Sequence, residues 1–306
     1  MVKSVALFLS LLFFSANLSS KDTASSSEPQ FYRPVNLEHR VIELEAQVDY
    51  LLELLDGVAR MTDPYTLQDT LRFSDMNVQI VNGLGWTSRV NGRGNLIIGY
   101  NGAIWVDPSG QREGSHMLII GDDIMYTAES YGGIVVGYAN RVSAPYASVI
   151  GGIYNSASDV SATVIGGSNN SASGPYSTVT GGRINHASGT HAAILGGVYN
   201  QALGDHSSVT GGDYNTASGY GATVSGGSRN FADGHEASVT GGDRNTATGW
   251  FSAVTGGSDN VAIGSGSSIT GGRGNETQNR YTVIIGGQDQ IANSDFCVAG
   301  VDGGDC

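Results

Sequence analysis

The sequence predicts an all-β protein, a parallel β-solenoid (β-roll) of 15-residue turns preceded by a short α-helical coiled coil. Three observations predict it. Gly-Gly recurs at 151, 166, 181, 196, 211, 226, 241, 256, 271 and 286, always fifteen residues apart. Asn keeps the same interval from Asn140 to Asn275. Apolar residues from Leu37 to Val58 alternate spacings of four and three. A strict short period is the signature of a solenoid, and a 4-3 seam that of a coiled coil.

The first segment, residues 1–20, reads as a secretory signal peptide. Lys3 supplies the positive start, Val5 to Phe14 the apolar run, and "SANLSS" the small residues for cleavage. The run is too short to span a bilayer, and no later segment approaches the about 18 apolar residues a spanning helix needs. The expectation is a secreted or cell-surface protein with no transmembrane span. Residues 21–36 are a polar linker.

Residues 37–60 are predicted to be the oligomerisation helix. Val41, Val48 and Leu55 fall at a positions, and Leu37, Leu44, Leu51 and Val58 at d. Three heptads are marginal for a lone helix, so association is expected. Val at a with Leu at d favours dimers. The run "RVIELE", with Arg40 and Glu45, instead resembles the pattern of trimeric coiled coils, in which the Arg reaches a neighbouring chain's Glu. A homotrimer is the expected assembly. Residues 61–117 read as an irregular β connector and N-terminal cap, with short strands expected in "NVQIVNG" (77–83) and "GNLIIGYNG" (94–102) and a loop in "WVDPSGQREGSH".

The solenoid is expected over residues 118–290. Val164, Val179, Ile194, Val209, Val224, Val239 and Val254 form one column, expected to point inward from a pleated strand. Ala fills the column from 157 to 262, where the coil must be thin. Gly columns are expected at bends needing positive φ. Asn155, Asn170, Asn185, Asn200, Asn215, Asn230, Asn245, Asn260 and Asn275 are expected to satisfy backbone groups at a bend, each amide bonding its copy one turn away. One Val and some Ala per turn bury little. Either hydrogen bonding between turns carries unusual weight, or the coil buries a second face against its own copies. The final segment, 291–306, reads as an out-of-step cap. Cys297 and Cys306, the two cysteines of the chain, are expected to form a disulfide there.

The pattern "SVTGG-xx-N-x-A-S-G-xx-A" resembles the head repeats of YadA-type trimeric autotransporter adhesins, over about residues 118 to 290. The resemblance implies left-handed parallel β-rolls packed three together, and adhesion to host matrix or to other cells. It brings no catalytic residues. This chain has Gly-Gly where the family often has Ile-Gly, its heptads precede the repeats, and no barrel strands follow "DGGDC". A membrane anchor at its own C-terminus is therefore not expected.

The 306 residues include 46 Gly, and the net charge is −13, which argues against a nucleic-acid partner. No G-x-S-x-G elbow, H-E-x-x-H or P-loop occurs, so neither enzymatic activity nor a cofactor is expected. His191 and His206 share a column and raise the question of a metal, but no third ligand matches their pattern, and exposed variable positions are the expectation. Tyr176, Tyr199, Tyr214, Tyr220, Trp250 and Phe251 are the candidate binding surface, on which a sugar or an extracellular protein would stack. The expected function is adhesin-like extracellular binding. An extracellular structural spacer is one alternative. The other is ice binding through the double row of Thr180, Thr210, Ser225, Thr240, Thr255 and Thr270 with Thr178, Ser208, Thr223, Ser238 and Ser268, a layout resembling solenoid ice-binding proteins.

Overall fold

The computed structural model describes residues 36–63, 65–102 and 112–300. The expected signal peptide, nearly all of the linker, much of the "WVDPSGQREGSH" loop and Cys306 lie outside them. The chain divides into two compact units, Met1–Val78 and Gln79–Cys306.

In the first unit, helix α1 spans Leu37–Leu54. Asn36 caps it, its Oδ1 accepting the backbone N–H groups of Glu38 at 3.1 Å and His39 at 3.3 Å. None of its residues is buried in the single chain, and Leu37, Val41, Leu44, Val48 and Leu51 are all at least half exposed. The helix stops earlier than the heptads predict. Gly57 takes φ +81, and its carbonyl accepts the N–H of Ser74 at 2.7 Å. The chain thereby turns into strand β1 (Val58–Thr62), antiparallel to β2 (Asp69–Phe73). Val58, expected at the last d position, is thus a strand residue paired with Phe73, and Leu55 is the C-cap. The heptad pattern ran on past the glycine that ends the helix.

The second unit is a parallel β-solenoid with one strand of each of two sheets per turn. The large sheet has 14 strands and the small sheet 12, each strand pairing in parallel with the equivalent strand of the adjacent turn. The large sheet starts at β3 (Leu96–Ile98), which pairs with β4 (Leu118–Asp122). Residues 77–83 form no strand, contrary to expectation. Their short apolar run lacks a neighbouring turn to pair with, whereas Leu96–Ile98 has one. The first turns are irregular in length, with Ile97 stacking on Ile119, Ile119 on Val135 and Val135 on Val149. Thereafter every register step is fifteen residues, as in Val209 on Val224. The coil also runs further than expected. Ile291–Ala292 and Val298–Ala299 pair in register with the turn before, so "FCVA" is one more turn and not a break in step. The pattern was hidden because Gln290 replaces the Asn.

Each turn has a thin core. Val209, Ala217 and Ala222 are fully buried, and their counterparts repeat this along the coil. Backbone bonding compensates for the small apolar payload. Ser208, Thr210, Asp213, Thr216 and Ser218 all donate forward to the following turn at 2.8–3.0 Å. Tyr214 and Gly221 donate backward, to Val198 and Asp205, at 2.9 and 2.8 Å. Every turn is therefore stitched to both neighbours by its backbone.

The Asn column works differently from a simple amide ladder. Asn215 Oδ1 accepts the backbone N–H of Asn230 at 3.0 Å, while its Nδ2 donates to the carbonyls of Gly211 at 2.9 Å and Gly227 at 3.0 Å. One side chain thus ties three backbone groups on two turns. A direct amide-to-amide bond occurs between Asn260 and Asn245 at 3.1 Å.

The three glycine columns also differ. Gly212 sits at φ +81, and a Cβ on it would overlap the carbonyl oxygen of Gly227. Gly219 does not need positive φ, but its Cβ would overlap the carbonyl of Gly234. Gly211 needs neither: nothing lies within 4 Å of the place its Cβ would take. The expectation that glycine marks positive φ holds for one column of three.

Candidate binding surfaces

The corners of the coil are held by residues in the left-handed region, most of them not glycine. Tyr199, Tyr214, Arg229, Arg244 and Asp259 occupy one corner with φ between 54 and 60. Tyr176, His191, His206, Glu236 and Phe251 occupy another with φ between 52 and 60. This conformation costs an L-residue about 1–2 kcal/mol, and each of these N–H groups is used for the backward bond to the preceding turn. It also throws the side chain outward. Successive turns therefore bring outward side chains together as two ridges.

The first ridge is a mixed ladder. Arg183 lies 5.9 Å from the centre of the Tyr199 ring, Tyr199 stacks on Tyr214 at 4.8 Å, and Arg229 lies 5.8 Å from Tyr214. Ion pairs continue it: Arg229–Asp243 at 3.8 Å, Arg244–Asp243 at 2.8 Å, Arg244–Asp259 at 2.6 Å and Arg273–Asp259 at 3.9 Å. The hydrogen bond from Arg244, then that from Ser258, lowers the Asp259 carboxyl to about 2.

The second ridge is a ladder of rings. Centroid separations run 4.9 Å for Tyr176–His191, 5.1 Å for His191–His206, 5.3 Å for His206–Tyr220, 5.0 Å for Tyr220–His235 and 5.5 Å for His235–Trp250. Phe251 meets His235 edge-on at 5.6 Å. Asp205 is a tie between turns, its Oδ1 accepting the N–H of Thr190 at 2.8 Å, and that bond lowers its carboxyl below the usual range.

All six aromatic residues expected to form a binding surface lie on these ridges, Tyr199 and Tyr214 on the first and the other four on the second. Their presentation differs from expectation. Tyr199 and Tyr214 turn their faces on each other at 9°, and Tyr176 does so with His191 at 12°. Between stacked rungs a sugar finds ring edges, hydroxyls and imidazole nitrogens, and not an open face. Trp250, 63% exposed, ends its ladder above Ser265 and is the most open of the six. His191 and His206 are rungs of the same ladder, and among the described residues no group of three His, Cys, Asp or Glu is placed to hold a metal ion. Sequence reasoning missed His235 and the Arg–Asp ladder. The fifteen-residue spacing of Arg229, Arg244 and Asp259 was the signal available.

Cys297 is nearly buried at the last described turn, and no described cysteine is free. Its expected partner, Cys306, lies outside the described residues. No helix among the described residues is long and apolar enough to cross a membrane. No family model matches the chain, and no curated protein matches it either.

Proposed function

We propose that this protein is a secreted, adhesin-like binding protein, non-enzymatic, whose copies associate as a homotrimer through the α1 heptads and present YadA-type head repeats. The observation that carries this reading is the division of labour within each turn. Inward and bend positions repeat with little change, while the outward corner positions vary from Tyr to His, Arg, Asp, Glu and Phe. A constant frame with variable, aromatic-rich outward positions suits recognition of an extracellular protein or carbohydrate surface. The exposed α1 seam supports self-association.

The test is binding of the purified full-length chain to panels of immobilised extracellular-matrix proteins and polysaccharides. Saturable binding that Trp250→Ala weakens at least tenfold is the expected result. No binding to any panel member would instead favour a structural spacer.

A further inference from the structure

Tyr199 and Tyr214 on the first ridge form an arrangement found nowhere else among the described residues. Their ring centroids are 4.8 Å apart and their planes 9° from parallel. The other tyrosine pairs on adjacent turns, Tyr131–Tyr146 and Tyr138–Tyr154, meet edge to face at 75° and 81°. The tyrosines that stack elsewhere, Tyr176, Tyr220 and Tyr281, do so on His191, His235 and Phe296. Among the described residues, Tyr199 and Tyr214 are thus the one pair of phenols that lie ring over ring.

The backbone holds this pair in place. Both residues sit at φ +57, and their N–H groups donate backward to the carbonyls of Arg183 at 3.0 Å and Val198 at 2.9 Å. Their Cα atoms are thereby kept one turn apart, about 4.8 Å. Arginines flank the pair along the coil. Arg183 lies 5.9 Å from the centre of the Tyr199 ring, and Arg229 lies 5.8 Å from that of Tyr214. The Tyr214 side chain is nonetheless half exposed, so a reagent in solution reaches it.

We propose that Tyr199 and Tyr214 are an oxidative modification site, at which a haem peroxidase with hydrogen peroxide couples them into a dityrosine. Each ring gives up one electron and its phenolic proton, leaving two tyrosyl radicals. A carbon–carbon bond then forms between one carbon ortho to the hydroxyl on each ring. The hydrogen on each of those carbons moves to its ring's oxygen and restores the phenol. The two electrons and two protons reduce one hydrogen peroxide to two waters. Coupling of two radicals is ordinarily bimolecular; held in contact, this pair reacts as a unimolecular system. With an arginine on either side, neither radical has a second phenol in its own ladder to meet. The edge-to-face pairs are less suited, because an ortho carbon of one ring there meets the face of the other. Desolvation, then the neighbouring tyrosine, also raises the phenols of Tyr131 and Tyr138, so they hold more tightly the proton that oxidation must remove. The product ties adjacent turns covalently, in a coil whose turns bury only a small apolar core. This chemistry requires the solenoid fold alone and is independent of the adhesin reading.

The test is treatment of the purified full-length chain with a haem peroxidase and limiting hydrogen peroxide. Dityrosine fluorescence should appear, and the chain should lose the mass of two hydrogens. It should still migrate as a single chain on a denaturing gel, and peptide mapping should join the fragment holding Tyr199 to the one holding Tyr214. Tyr199→Phe and Tyr214→Phe keep the stacked rings and remove one phenol, so folding is preserved. Each should lower the dityrosine yield at least about fivefold, since the surviving radical has no phenol in contact. Tyr176→Phe, whose ring stacks on a histidine, is the control and should leave the yield unchanged. Absence of dityrosine, coupling mapped to other tyrosines, or an undiminished yield in the two Phe variants would overturn the proposal. Coupling found only between chains would also overturn it, while leaving the multi-chain reading standing.

Discussion

The Oδ1 atom of Asn200 accepts the backbone N–H of Asn215 at 2.9 Å, across one full turn of the solenoid. The same amide donates to Gly196 at 3.0 Å and to Gly212 at 2.8 Å. Asn215→Ala should therefore cost about 2–3 kcal/mol, because it strands the buried N–H of Asn230 and the carbonyl of Gly211, while the Gly227 carbonyl keeps the N–H of Asp213. Denaturant unfolding measures it. A loss below about 0.5 kcal/mol would mean that water replaces the amide and that the column is not structural.

The column ends at Gln290. Its N–H still reaches Asn275 Oδ1 at 3.0 Å, but its own Oε1 is buried without a partner. Gln290→Asn restores the shorter amide that, from Asn155 to Asn275, reaches the glycine carbonyl four residues back. The expected gain is about 1 kcal/mol, read as a higher thermal midpoint. An unchanged or lower midpoint would show that the last turn is held by other means.

Gly227→Ala and Gly219→Ala should each destabilise by more than about 2 kcal/mol, for different reasons. Gly227 has φ +83 and crowds Gly242, whereas Gly219 has ordinary φ and crowds Gly234. D-Ala introduced by semisynthesis separates them. It relieves the φ strain at 227 and has no such effect at 219. Equal behaviour at the two sites would refute the distinction.

Asp259 binds its proton more weakly in the folded chain, at about 2, than its ordinary value of 3.8. Its ion pair with Arg244 therefore adds stability that is fully present above about pH 4 and lost as pH falls toward 2. Arg244→Ala should return the Asp259 carboxyl toward 3.8 in an NMR titration and flatten that stretch of the stability–pH curve. A carboxyl still near 2 in the variant would assign the shift to Ser258 instead.

Tyr199 and Tyr214 should couple by about 0.5–1.5 kcal/mol in a double-mutant cycle to Ala, as a stacked pair in contact. Additive losses would show that the ladder is adjacency without attraction.

Much of this architecture was legible in the residue order. The period of fifteen places Val209 over Val224 and Asn200 beneath Asn215, because parallel stacking puts equivalent residues one above another. The helix was legible in its start but not in its end, since the heptad pattern continued through Gly57 while the hairpin Val58–Phe73 captured the chain. The ridges were legible as variable columns. Their stacking was not, because spacing reveals that two rings are neighbours but not whether they present faces or edges to solvent.

The sequence alone determined the repeat, the inward Val and Ala columns and the positions that had to stay small, since each follows from a ladder that tolerates no slip. The tertiary structure decided why each glycine is small. One column answers to backbone dihedral, one to the carbonyl of the next turn, and one to nothing within its own chain. The sequence prints the same letter for all three. Only the distance from each Cα to the neighbouring turn tells them apart.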